Sequence, residues 1–432
     1  MTKSLSEDRA DTVSVPEASV APQVPAQGTP PTSGWLVQWT FLALFTIYAF
    51  LHVIYMTGYA PRGLYYASFG LLLVAAGARM AWLGVTRWHS LGQIHFLRSF
   101  LVLTGAAAVL VVISWIREYA ALETFTWTGV GQAFYIVGPA LIAVCVVNTA
   151  TTRQLDLYAI ILLARYSTYF VLAFSTDFSL ASVTEISWSA SSSPFESSFA
   201  HDLLIVEAYF VFRNRKVLAL AAGALTMLSL KRASFVLAPA MIVVSRWLRS
   251  MKPASRRYLF GLAAVGIASP YLVMYVYSQG FVEMATERFG VDINAVTTGR
   301  WEIYQIATGL LPQTTGFGSL NPLLTALVDS HFGTYWNSQL HNDTLRLHME
   351  VGFIGVAVYI CALVYLGRSS RVASLLITYT MFVLITSRLI THTSYWVALF
   401  LVIALIERWI HEHRATARLA EGSGVASEVA ER

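Results

Sequence analysis

Six cationic side chains, Lys231, Arg232, Arg288, Arg300, Arg346 and Arg388, and five imidazoles, His201, His331, His341, His348 and His392, are the groups in this sequence best suited to chemistry. Guanidinium groups match phosphate oxygens two at a time and stay charged when partly desolvated, so several converging on one spot would hold an anionic headgroup or a diphosphate. A neutral imidazole is poised to take a proton near pH 7 and so to serve as a base toward a hydroxyl. His341 is the strongest of the five. It sits in SQLHNDTLRLHMEVGFIG, where a polar stretch turns apolar, with Asn342 and Asp343 as candidate orienting partners and Glu350 about two turns further on. The competing structural readings are that the cations snorkel or pair with Glu283, Glu287 or Asp343, and that a given histidine is an interfacial hydrogen-bonding residue. No HExxH signature is present, and the seven-residue spacing of His341 and His348 offers no third ligand nearby, so neither a metal nor a cofactor is expected.

The elements that must position these groups are membrane helices. The chain has 432 residues, of which 56% are hydrophobic and 12% charged, whereas soluble domains carry about 25% charge. Cys145 and Cys361 lie in apolar runs and leave no disulfide framework or thiolate metal cluster to consider. The net charge of +5 serves membrane topology here, and no nucleic-acid partner is expected. Residues 1–34, rich in Pro, Ser and Ala, are expected to be a disordered tail without the features of a signal peptide.

Beyond that tail, twelve apolar segments approach the roughly 20 residues that cross a bilayer, nine of them within 35–277 and three within 347–410, before a second tail at 411–432. The expected fold is therefore an all-α polytopic bundle of about twelve transmembrane helices. The sixth to eighth segments, Phe199 to Phe212, Val217 to Leu230 and Phe235 to Leu248, are short for a full crossing. Alternate connections are basic: Arg87 and Arg98; Arg153; Arg213, Arg215 and Lys216; Arg246, Arg249, Lys252, Arg256 and Arg257; Arg368 and Arg371; then Arg408, Arg414 and Arg418. The positive-inside rule then puts both termini in the cytoplasm and the six cations named first at exceptional positions outside. The segment 278–346 is the longest connection, too aromatic for disorder, and holds RWEIYQIATGLL, which has the spacing of a short amphipathic helix.

The segment Thr297 to Tyr304 (TTGRWEIY), the Gly-Phe-Gly turn at Gly316 to Gly318 and the run His341 to Gly352 (HNDTLRLHMEVG) together resemble the O-antigen ligase and polymerase superfamily. The Lys-Arg-Ala-Ser of Lys231 to Ser234 is similar to that family's basic helix junction, with Lys231 in place of the usual serine. By motif the resemblance covers roughly residues 220–366. It implies a bacterial inner-membrane, inverting, metal-independent glycosyltransferase. Its donor would be an undecaprenyl-diphosphate-linked oligosaccharide, used on the periplasmic face without nucleotide sugar, and 278–346 would be the catalytic periplasmic loop.

On that resemblance, Arg232 and Arg300, with Lys231 and Arg388, would hold the diphosphate and stabilise its departure. His341 would orient or deprotonate the acceptor hydroxyl, with Glu350, Asn342 and Arg288 in support. A chain-length regulator and a flippase of the same pathway would be expected partners, alongside membrane lipid.

A polymerase of the xanthan-producing type is the favoured reading, helped by the ten residues between Arg288 and Gly299 and by the aromatic-rich, modest-length chain. Transfer of a finished glycan to the lipid A core is the alternative. Twelve helices would also suit a solute carrier. Arg165, in the middle of an apolar segment, is the residue that keeps the carrier open, unless an acidic neighbour neutralises it.

Overall fold

The computed structural model describes residues 34–86, 92–177, 199–229, 232–244, 247, 249, 251–290, 300–332 and 340–422. The amino-terminal tail, Arg87, Lys231, Arg246 and residues 291–299 lie outside this set. The same holds for the side chains of Arg232, Arg300, His331 and Arg418.

The first five helices are α1 (Trp35–Met56), α2 (Arg62–Thr86), α3 (Leu97–Leu122), α4 (Thr128–Thr149) and α5 (Thr152–Asp177). Next come α6 (Phe199–Phe212), α7 (Lys216–Leu228), α8 (Arg232–Val243) and α9 (Arg256–Ser278). Three short helices lie in the long connection: α10 (Phe281–Phe289), α11 (Arg300–Gly309) and α12 (Leu320–Phe332). The chain closes with α13 (Asp343–Leu366), α14 (Arg371–Thr386) and α15 (Thr393–Gly422). The described residues form helices and connections without a strand. Eight of these helices are long and apolar enough to cross a membrane, while α7 and α14 are shorter apolar helices. This is the all-α polytopic bundle expected, with eight helices of spanning length among the described residues where about twelve were expected.

Helix amphipathicity decides the layers. Residues 395–406 of α15 and 200–212 of α6 are buried on every side, the mark of helices surrounded by others. Around them α15 packs on α4 and α6, and α13 packs on α3, α9 and α14. By contrast α9 leaves Phe260, Val265, Leu272 and Tyr275 exposed, which in a bilayer is the face lipid covers. The last helix begins two residues before the expected segment and continues well past Ile410, because an Arg408–Glu412 pair at one-turn spacing extends it beyond the apolar run.

The expected basic connections gather at one end of the bundle. Asp156, at the start of α5, accepts bonds from Arg213 Nε at 3.1 Å, Arg215 Nη2 at 3.0 Å and Tyr209 Oη at 2.7 Å. Arg408 donates to the carbonyls of Val147 and Ala150, which cap the carboxyl end of α4. Arg249 reaches Asn214 at 2.9 Å, Arg414 reaches the Met251 carbonyl at 2.7 Å, and the Arg371 amide bonds the Lys252 carbonyl. Cations at helix carboxyl ends also complement the negative end of the helix dipole. Because α4 runs toward this basic end and α7 runs away from it, the starts of α4 and α8 lie at the other end, as does the start of α13.

Candidate functional site

At that other end the long connection folds onto the bundle through a small core of its own. Ile303, Tyr304 and Ala307 of α11, Leu310 just past its end, and Leu320, Leu324 and Val328 of α12 bury against Leu340, Leu345 and Met349. The i, i+1, i+4, i+7 spacing of the first four is the amphipathic pattern legible in RWEIYQIATGLL. The Tyr304 hydroxyl donates to the His341 carbonyl at 3.1 Å. Since Tyr304 lies one turn into α11, the helix start at Arg300 is brought to the same neighbourhood as His341.

The Gly-Phe-Gly turn docks this assembly on α3 and α4. Phe317 is fully buried, and its amide donates to Ser114 Oγ at 2.8 Å. A Cβ at Gly316 would come within 2.8 Å of Glu118 Oε1, and one at Gly318, whose φ is +96°, within 2.9 Å of Gln132 Cγ. Glycine is required at both places, for close approach at the first and for a left-handed backbone at the second. Thr314 adds a second tie, with its hydroxyl on the Met349 carbonyl at 2.8 Å and its own carbonyl accepting from Arg117 Nη2 at 3.1 Å.

The start of α13 gathers six of the polar residues singled out in the sequence: His341, Asn342, Asp343, Arg346, His348 and Glu350. Asn342 caps the helix, its Oδ1 accepting from the Leu345 amide and the Thr344 hydroxyl, both at 2.9 Å. Arg346 is completely buried: Nε donates to Glu350 Oε1 at 3.1 Å, Nη2 donates to Gln132 Oε1 at 3.1 Å, and Nη1 lies 3.8 Å from Asp343 Oδ1. Glu350 Oε1 also accepts the Leu320 amide, the first of α12, at 3.1 Å. Arg346 is thus committed to two carboxylates, as the pairing alternative allowed. Asn342 caps α13, and Asp343 turns toward the connection between α14 and α15. His341 itself is half-buried, immediately before the cap.

Arg388 lies in that α14–α15 connection, half-buried, with Nε donating to Thr391 Oγ1 at 3.0 Å. Among the described residues no carboxylate lies within ion-pair distance of it. Burial, and next the nearby Arg346 guanidinium, pull its pKa below the ordinary guanidinium value, with Asp343 and Tyr135 acting the other way. An arginine so placed stays protonated, which makes it a desolvated cation suited to an anion.

The remaining sequence candidates divide. Arg288 is exposed in the last turn of α10 and forms no ion pair among the described residues. His201 Nδ1 and the Tyr379 hydroxyl are 2.6 Å apart in the bundle core, and the His348 ring packs 4.7 Å from Tyr271. The start of α8 at Arg232 falls at the same end of the bundle as His341, Arg388 and the start of α11. Arg165 is fully buried and pairs with Asp202 Oδ2 at 3.1 Å, with the Tyr166 hydroxyl donating to the same carboxylate. Sequence reasoning missed Arg117, Ser114, Glu118 and Gln132, which brace the loop end. Their one signal is polarity at the rim of α3 and α4, and their partners lie up to 214 positions away.

Compared with known proteins, residues 217–360 match the family model described as O-antigen ligase. The match runs from the first turn of α7 into α13 and takes in about a third of the chain, including Arg232, Arg300 and His341. No curated protein matches the chain.

Proposed function

We propose that the chain, whose residues 217–360 match the O-antigen ligase family model, belongs to the ligase and polymerase superfamily and is a polysaccharide polymerase. It joins oligosaccharide repeat units carried on undecaprenyl diphosphate, at the periplasmic face of a bacterial inner membrane. The family makes it a multi-pass membrane enzyme of the glycosyl-transfer type acting on lipid-linked glycan. The polymerase assignment goes further and rests on the Arg288 to Gly299 spacing and the aromatic-rich, modest-length chain.

In the proposed reaction the acceptor hydroxyl oxygen attacks the anomeric carbon of the donor from the face opposite the diphosphate. A new carbon–oxygen bond forms, the bond from that carbon to the diphosphate oxygen breaks, and the configuration inverts. The acceptor's proton passes to His341. Negative charge accumulates on the departing diphosphate, where Arg232, Arg300 and Arg388 receive it. A diphosphate leaving group needs cations more than it needs a proton, and each preorganised donor of this kind is worth about 3 to 4 kcal/mol of barrier. Lys231 and Arg288 would add to the field drawing the anionic donor in. Asn342 and Glu350 act by bracing the α13 start.

The observation that carries this reading is the family domain containing Arg232, Arg300 and His341. The description of the matched family favours a second reading, in which the acceptor is a lipid A core sugar. The carrier reading loses its main support, because Arg165 is neutralised by Asp202 inside the bundle.

The surface polysaccharide of a strain lacking the protein separates these readings. Loss of all polymer with accumulation of single repeat units supports the polymerase. Retained polymer that fails to reach lipid A supports the ligase and overturns the polymerase.

A further inference from the structure

The connection between α14 and α15 is only six residues long, and it carries Arg388. Its own helices fix part of it: the Ser387 amide bonds the Val383 carbonyl at 2.7 Å, the His392 amide bonds the Leu389 carbonyl at 2.8 Å, and Trp396 Nε1 donates to the Ile390 carbonyl at 3.1 Å. One described side chain from elsewhere also holds its backbone. Asp343 Oδ2 accepts the amides of both Leu389 and Ile390, the second at 2.7 Å.

Asp343 is fully buried and lies two residues after His341, at the first turn of α13. One rigid helix start therefore carries His341 and also grips the turn that presents Arg388. The charges around it make that grip necessary. Arg346 and Arg388 repel one another across this corner, Asp343 stands between their effects, and Arg346 is itself fastened by Glu350 and Gln132. Two consecutive amides on one carboxylate oxygen are a charge-assisted contact, stronger than a neutral one and directional.

Resting on the function proposed above, we infer that Asp343 is a positioning residue that sets Arg388 in register with His341 for the donor diphosphate. It touches no substrate. It acts through the 387–392 turn.

The test is binding of undecaprenyl diphosphate to the full-length protein in nanodiscs, for the wild type, Asp343→Asn, Arg388→Ala and the double variant. Residues that act through one another are non-additive. The expected result is a Kd about tenfold weaker in each single variant and no further weakening in the double. Multiplication of the two effects overturns the inference while leaving the site reading standing. No binding by the wild type sinks both.

Asp343→Glu keeps the charge beside Arg346 and shifts the acceptor by one methylene. It is expected to weaken binding in the same direction, and a wild-type Kd in that variant also overturns the inference. Hydrogen exchange supplies a readout independent of the ligand. The amides of Leu389 and Ile390 should exchange faster in Asp343→Asn while the interior of α15 stays protected, and unchanged exchange at both amides contradicts the joint.

Discussion

The two ends of the bundle use arginine in opposite ways. At the basic end Arg213, Arg215 and Arg408 meet a carboxylate or the carbonyls of a helix terminus, and the charges close the ends of helices. At the loop end three buried carboxylates are consumed by structure: Glu118 by Ser114 and the Thr126 amide, Glu350 by Arg346 and the Leu320 amide, Asp343 by two amides and Arg346. Arg388 is left there, half-buried, with a threonine hydroxyl and, among the described residues, no acid at ion-pair distance. With the buried carboxylates at the loop end spent on structure, the charge of Arg388 is left where an anion can take it up.

The contrast breaks most visibly at Arg346, whose truncation leaves Asp343 and Glu350 buried without their counter-charge. Arg346→Ala is expected to cost about 3 to 5 kcal/mol, read as a fall in the thermal midpoint of the purified protein. A midpoint equal to wild type would show that the network at the start of α13 is not what holds the loop end together.

Next in size are the groups assigned to chemistry. Arg300→Ala and His341→Ala should leave insertion and thermal stability near wild type and lower polymer formation by about 10²-fold or more. Normal polymer in either variant removes that residue from the mechanism. Arg300→Lys should also be impaired if the diphosphate is held by two parallel bonds, whereas full activity would reduce the role of Arg300 to that of a point charge.

Smaller again is the docking turn. Gly318→Ala forces an L-residue into positive φ against Gln132, and Gly316→Ala presses on Glu118, so each should cost about 1 to 3 kcal/mol. Faster proteolysis within residues 300–332 in these variants would confirm that the turn fastens the long connection, and wild-type resistance would argue against it. Least of all is Arg215→Ala at the basic end. That side chain is 56% exposed, and its loss should change stability by under about 1 kcal/mol and activity not at all.

How much of this was legible in the sequence follows from the range of each interaction. Apolar runs and basic connections are local signals, and they gave the helix order, down to the bounds of α6 at Phe199 and Phe212 and the start of α11 at Arg300. They also marked His341 as sitting where loop becomes helix. The partners of that helix were not legible, because Arg346 with Gln132, Phe317 with Ser114 and Asp343 with Ile390 join positions that share no periodicity. Asn342 and Asp343 look like partners for their neighbour His341. Cap geometry commits the Asn342 side-chain oxygen to the Leu345 amide and the Thr344 hydroxyl, and Asp343, at the first turn, turns across to the neighbouring connection. Arg165 posed the reverse difficulty. A lone charge in an apolar run suggests transport until the fold supplies Asp202, 37 positions further on.

The most direct test of the account is made with the purified full-length protein in liposomes holding an undecaprenyl-diphosphate-linked repeat unit and no nucleotide sugar. The account predicts a ladder of longer lipid-linked glycans with release of undecaprenyl diphosphate, absent when His341→Ala or Arg300→Ala replaces the wild type. Glycan that stays at a single repeat unit while the vesicles take up solute would contradict it.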